Sequence, residues 1–134
     1  ETHASEASAP GLDEVAGELA EQLAKLSEAA RARTIVDPGL GFGKGTPQNL
    51  ALLRGVGVLR ARLGRPVMVG ASRKRFLGEL CGRSLHERDD ATVGASLAAV
   101  VNGAHFVRVH EVGRMRDALV AFEHCRRVPE EAQA

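Results

Sequence analysis

Three short β-branched runs, each set between long amphipathic stretches, constrain this chain more than any other feature. Thr34-Ile35-Val36, Val67-Met68-Val69 and Phe106-Val107-Arg108-Val109 are too short for helices and read as buried strands. Around them, apolar residues recur at three- and four-residue steps. Leu12, Val15, Leu19, Leu23, Leu26 and Ala30 mark one face of a helix from Leu12 to about Ala32. Thr46-Pro47 supplies an N-cap and a first-turn proline for a second helix, with Leu50, Leu53, Val56, Leu59 and Leu63 inward and a stop at Gly64. Ser72 should cap a short helix over Arg73 to Leu80. Ser84 and Glu87 have capping-box spacing for a helix from Leu85 to about Asn102, with Val93, Leu97, Val100 and Val101 inward. A last helix presents Val112, Met115, Leu119 and Phe122.

The resulting order is α-β-α-β-α-α-β-α. Strands that alternate with helices are joined by crossovers, so the sheet is parallel and helices pack on it. Right-handed crossovers bring the C-terminal ends of all three strands to one edge, where α/β proteins do their chemistry. Three parallel strands leave two unpaired edges, and no hairpin is available to seal them. The expectation is a piece of a larger barrel, or strands supplied from elsewhere. The absence of a starting Met points the same way.

Composition removes several classes of function. A net charge of +1 offers no electrostatic basis for non-specific nucleic-acid binding, and four Phe without Trp or Tyr make no stacking platform. No apolar run approaches the ~20 residues that span a bilayer. Residues 1–11 lack the basic and apolar regions of a signal peptide and read as a loop-like or disordered start. Cys81 and Cys125 have no CxxC spacing, so two reduced thiols in a cytoplasmic protein are expected, with a disulfide as the alternative.

The segments that follow the strands carry the chemistry. Asp37 is followed by Pro38-Gly39-Leu40-Gly41-Phe42-Gly43-Lys44-Gly45, and the second strand by Gly70-Ala71-Ser72-Arg73-Lys74-Arg75-Phe76-Leu77-Gly78. The third ends in Arg108-Val109-His110. At a shared edge, one carboxylate, several cations and a histidine would surround a cleft for an anionic, hydrogen-bonding ligand. The glycine loop is not a Walker A motif, because Pro38 holds the place of the first glycine and Gly45, not Ser or Thr, follows Lys44. Arg108 and His110, two apart on a strand, should share a side while Val107 and Val109 face the other.

Taken in order, DPGLGFGK, SRKRFLG and RVH resemble the dihydropteroate synthase family, from about Glu14 to Phe122 and including the ERDDAT helix start. The resemblance implies that residues 12–128 form the C-terminal half of a pterin-binding (β/α)8 barrel, roughly its strands six to eight, with 129–134 a frayed tail. It implies condensation of 6-hydroxymethyl-7,8-dihydropterin pyrophosphate with p-aminobenzoate, giving 7,8-dihydropteroate and pyrophosphate for folate biosynthesis.

By motif, Asp37 would bind the pterin ring, since a carboxylate accepts two adjacent N–H donors at once. Lys74 would touch the pterin carbonyl and line the p-aminobenzoate pocket. Phe42 and Gly41 belong to the loop against the aminobenzoate ring. Arg75 and Phe76 would offer backbone N–H groups to its carboxylate. Arg108 and His110 would receive the pyrophosphate. Arg73 supports its neighbours, and Lys44 lies near the cleft mouth.

The resemblance further implies Mg2+ held by an Asn outside this chain, a homodimer, sulfonamide sensitivity, and little turnover from these 134 residues alone. His3, His86, His105 and His124 have no ligand spacing and read as surface residues, and Arg126-Arg127 as a solvated helix end. Two other readings compete: a non-catalytic pterin-binding paralogue, and a folate-dependent methyltransferase barrel.

Overall fold

The computed structural model describes residues 11–126. The expected loose start, His3, Arg127 and the tail lie outside that range. Helix α1 (Leu12–Ala24) buries Val15, Ala16 and Leu23, and the Glu14 carboxylate accepts the Gly11 N–H at its start. It does not continue to Ala32. Ser27 accepts the Ala30 N–H at 3.1 Å and opens a separate turn, α2 (Glu28–Arg31). Arg31 then bonds back to the Leu23 and Leu26 carbonyls. A serine hydroxyl that competes for backbone N–H groups ends one helix by starting another, which leaves Leu26 partly exposed.

The first expected strand contracts to one parallel bridge between Val36 and Val67. Its preceding residues are engaged elsewhere: Arg65 takes the Thr34 and Ala32 carbonyls, and the Thr34 hydroxyl donates to the Ala30 carbonyl. Strands β1 (Met68–Val69) and β2 (Phe106–Val107) pair in parallel, Met68 opposite Phe106 and Val69 opposite Val107. The three segments therefore lie side by side in parallel as expected, though only two reach strand length among the described residues.

The second expected helix is two helices, α3 (Thr46–Arg54) and α4 (Val56–Leu63), interrupted at Gly55 where Leu12 packs against the backbone. Gly45, not Thr46, is the N-cap, and the Thr46 hydroxyl bonds Glu79 instead. Gly64 ends α4, as expected. The buried face is Asn49, Leu52, Leu53, Val56 and Leu59, while Leu50 and Leu63 are only half-buried. That rotation follows from Asn49, which is drawn inward by the glycine loop.

Helix α5 (Arg75–Cys81) starts two residues late, because Arg73 adopts a left-handed φ of 57° that no helix can include. The Ser84–Glu87 capping box forms but opens only a 3-10 turn (Leu85–Glu87); Arg88 leaves helical geometry before α6 (Asp89–Val101) begins. The inward face of α6 is Thr92, Ser96 and Ala99. Val93, Leu97 and Val100 are half-buried and Val101 is exposed, since the small and hydroxyl-bearing side allows the closest approach to the core. In α7 (Val112–Arg126) Met115 is buried, Leu119 and Phe122 half-buried, and Val112 exposed.

The core gathers on β1. Val36, Val67 and Val69 meet Leu52, Leu53, Val56 and Leu59 on one side, with Phe76, Leu77 and Ala99 completing it. Cys81 and Cys125 are free and exposed. Among the described residues no helix is long and apolar enough to cross a membrane.

Candidate functional site

The loop after Val36 is held from two directions. Asp37 accepts the Gly39 N–H at 2.8 Å through one carboxylate oxygen. Below it, the buried Asn49 accepts the Gly41 N–H at 2.8 Å and donates to the Lys44 carbonyl at 3.4 Å. Across it, the Lys44 ammonium donates to the Gly39 and Phe42 carbonyls, both at 2.9 Å. Lys44 is thus a staple of its own loop. Phe42 is left at the tip, 68% exposed and not part of the core.

Gly41 serves a close approach. Its φ is +85°, and a Cβ there would stand 3.1 Å from the Lys74 side chain. Lys74 can therefore lie along the loop, with its ammonium 4.6 Å from the centre of the Phe42 ring. An exposed cation–π contact of this kind is worth about 0.5–1 kcal/mol.

The second segment turns on Arg73. A left-handed non-glycine residue costs on the order of 1–3 kcal/mol and persists only when its surroundings over-determine it. Here the backbone and the side chain of Arg73 are both engaged. Its N–H donates to Thr92 Oγ1 and its carbonyl accepts from Arg88, both at 3.0 Å. Its guanidinium reaches Asp89 at 2.9 Å and Glu111 at 3.3 Å. One turn of α6 therefore fixes the residue between Ser72 and Lys74. The Arg73 guanidinium is thus committed to Asp89 and Glu111.

The Arg73 hydrogen bond, helped by the charges of Arg73 and Arg114 and opposed by burial, holds the Asp89 carboxyl below its ordinary range. Glu79 and Glu87 are lowered as well, mainly through their bonds to Thr46 and Ser84. A carboxyl lowered on folding adds stability that is fully present above about pH 4 and is lost as pH falls through the folded-state value. Acid unfolding followed by circular dichroism should show this loss below about pH 4, and Asp89→Asn should be less stable at neutral pH with a shallower acid slope. An unchanged slope in that variant would deny Asp89 this part.

The third segment comes off β2. The Arg108 N–H donates to the Val69 carbonyl at 2.9 Å, and the side chain folds back over Gly70. Its guanidinium stands 3.5 Å from the free oxygen of Asp37. His110 is anchored to Ser72, whose Oγ accepts the His110 N–H at 3.1 Å and lies 2.7 Å from Nδ1. The strand has ended by Val107, so strand alternation is not what aims Arg108 and His110; these two anchors are.

Ser72, Arg73, Lys74, Arg108 and His110 line one cleft of about 570 Å³, with Leu85 and His86 on its outer wall. Asp37 is not on that wall. It borders a separate groove with Leu23, Ile35 and Val36, and its carboxylate stands 3.5 Å from Arg108 of the cleft. Two residues of the expected set stand apart: Arg75 pairs with Glu79 in solvent, the Phe76 side chain is buried in the core, and neither lines the cleft.

Sequence reasoning missed Asn49, Gly70 and the Ser72–His110 link, and took His86 for a surface residue without a cleft. Asn49 had a signal: it falls three and four residues before Leu52 and Leu53, on the apolar face. Of the other histidines, His105 Nδ1 accepts the Val67 N–H, and His124 Nδ1 contacts the Val120 carbonyl.

A Cβ at Gly70 would lie 2.8 Å from the Arg108 guanidinium. Because the obstructing group is the end of a flexible side chain, Gly70→Ala should move Arg108 while changing stability by about 0.5 kcal/mol or less. The Arg108 Nε resonance should then shift in a nuclear magnetic resonance spectrum with an unchanged urea midpoint. A variant with the parent's Arg108 resonance would contradict this placement.

Parallel strands whose C-terminal loops gather a carboxylate beside a cationic cleft define an α/β protein. Residues 2–110 match the model of the family described as pterin binding enzyme, and the chain belongs to that family.

The chain is 41% identical over 121 residues to the dihydropteroate synthase of Neisseria meningitidis serogroup C, covering 85% of this chain and 43% of the relative. It is 43% identical over 105 residues to the mitochondrial folate synthesis bifunctional protein of Pisum sativum, covering 72% and 20%. Among solved structures, dihydropteroate synthase of Xanthomonas albilineans in complex with 7,8-dihydropteroate superposes with a TM-score of 0.81 at 40% identity, over 88% of this chain and 47% of that one. The synthase of Thermus thermophilus in complex with 6HMPPP gives 0.80 at 41%, over 89% and 49%. The chain spans less than half the length of each of these four proteins.

Proposed function

We propose that this chain is the C-terminal portion of a dihydropteroate synthase. The observation that carries the reading is the Asp37–Arg108 contact, which joins a pterin-type acceptor to a cationic anion cleft. Relatives solved with a pterin substrate and with 7,8-dihydropteroate support it.

In this reading Asp37 accepts the paired N–H donors of the pterin and stabilises the cation that develops on it. Lys74 donates to the pterin carbonyl. Arg108 and His110 hold the pyrophosphate as the C–O bond breaks and its electron pair leaves with the diphosphate. The aniline nitrogen of p-aminobenzoate, a neutral nucleophile, then forms the C–N bond and loses a proton to solvent. Phe42 and Gly41 shape the wall beside its ring, and the Arg75 and Phe76 N–H groups face its carboxylate.

Magnesium, when bound, would neutralise charge on the leaving diphosphate. The family resemblance would assign its protein ligand to an Asn on a segment outside this chain.

The same reading makes the three parallel segments strands six to eight of a (β/α)8 barrel, in a cytoplasmic homodimer sensitive to sulfonamides. It places pterin ligands on segments this chain does not supply, so 134 residues alone should turn over little or nothing. The test is labelled p-aminobenzoate incorporation by a chimera in which this chain replaces the matching part of the Neisseria enzyme. Labelled dihydropteroate is the expected product. A folded chimera that binds pterin but makes none would favour a binding paralogue over a synthase.

A further inference from the structure

We propose that Ser72 is a positioning residue that fixes His110 as the tautomer carrying its proton on Nε2. The inference rests on the anion-site reading above and specifies how that site presents a donor. Ser72 is 8% exposed, and its hydroxyl has two contacts, both to His110: it accepts the backbone N–H at 3.1 Å and lies 2.7 Å from Nδ1.

A hydroxyl has one proton and two acceptor lone pairs. If Nδ1 carried the ring proton, Ser72 would accept twice and its own proton would have no protein acceptor among the described residues, at a position only 8% exposed. An unmet buried donor is costly. If Nδ1 is bare, Ser72 donates to it, and every group in the pair is satisfied. The ring proton then sits on Nε2, the nitrogen away from Ser72, and His110 offers an N–H donor without having to be charged. Arg108 supplies the fixed charge and His110 a directed hydrogen bond. The backbone bond through the same oxygen ties the two loops together, so ring and donor are set by one side chain.

The test is the nitrogen-15 spectrum of His110 in the whole chain, followed by pyrophosphate titration. Expected is a pyridine-type resonance on Nδ1 and a pyrrole-type resonance on Nε2. In Ser72→Ala the ring should become a tautomer mixture and pyrophosphate affinity should fall about tenfold, and Ser72→Thr, which keeps the hydroxyl, should restore both. A pyrrole-type Nδ1 in the parent chain overturns the assignment, as does an unchanged His110 spectrum in a folded Ser72→Ala. Failure of the parent to bind pyrophosphate would count against the anion site itself, while the imidazole spectrum still decides the role of Ser72.

Discussion

Asparagine in place of Asp37 should weaken pterin binding about a hundredfold without unfolding the chain. Hydrogen bonds to a charged group contribute about 1.5–3 kcal/mol each. Asp37 has one oxygen on the Gly39 N–H and the other turned toward Arg108. Asparagine can keep the first bond, so the glycine loop should hold its shape. It replaces the second oxygen by an N–H2 group, which in the proposed function would face the pterin donors with another donor, and it removes the negative charge beside Arg108. A loss of about 3 kcal/mol corresponds to roughly 150-fold. Calorimetric titration with a pterin, beside a urea curve for the same variant, separates the two effects. Affinity within about threefold of the parent would remove Asp37 from the site.

The largest stability effect should come from Phe76→Ala, at about 3–5 kcal/mol. Motif reading assigns only the Phe76 backbone N–H to substrate binding, and its side chain is 3% exposed and packs in the central cluster. Deleting a buried ring removes its transfer energy and leaves a cavity that neighbours fill only in part. Small domains have net stabilities of about 5–15 kcal/mol, so the variant should unfold at a much lower urea concentration. Its neighbour provides the contrast. Arg75 is solvent-exposed and its partner Glu79 is one turn away, so Arg75→Ala should cost about 0.5 kcal/mol or less. Equal midpoints for the two variants would mean that the ring is not where the core requires it.

The contrast between Arg75 and Phe76 shows what the sequence could convey. Periodicity located the helices and β-branched runs located the strand segments, because both reflect burial, the strongest local signal. Boundaries failed where a side chain competed with the backbone. Ser27 cut the first helix, the left-handed Arg73 delayed α5, and the Ser84 capping box opened a single turn. Their outcomes depend on partners far along the chain, such as Thr92 and Asp89 for Arg73.

The candidate site was legible as three segments at one edge, since parallel topology alone brings strand ends together. Its internal wiring was not. The Ser72–His110 and Gly41–Asn49 bonds join residues by loop geometry that no spacing rule encodes. Nor did alternation explain Arg108 and His110, because β2 ends before either.

Titration of isotope-labelled chain with 6-hydroxymethyl-7,8-dihydropterin pyrophosphate, followed by nuclear magnetic resonance, tests most directly whether Asp37 and the cleft act as one site, since weak binding is still visible residue by residue. The account predicts a single saturable event that shifts Asp37, Lys74, Arg108 and His110 together and leaves the far helix α7 beyond Met115 unmoved. Shifts confined to another surface, or responses at these four residues that saturate separately, would contradict it.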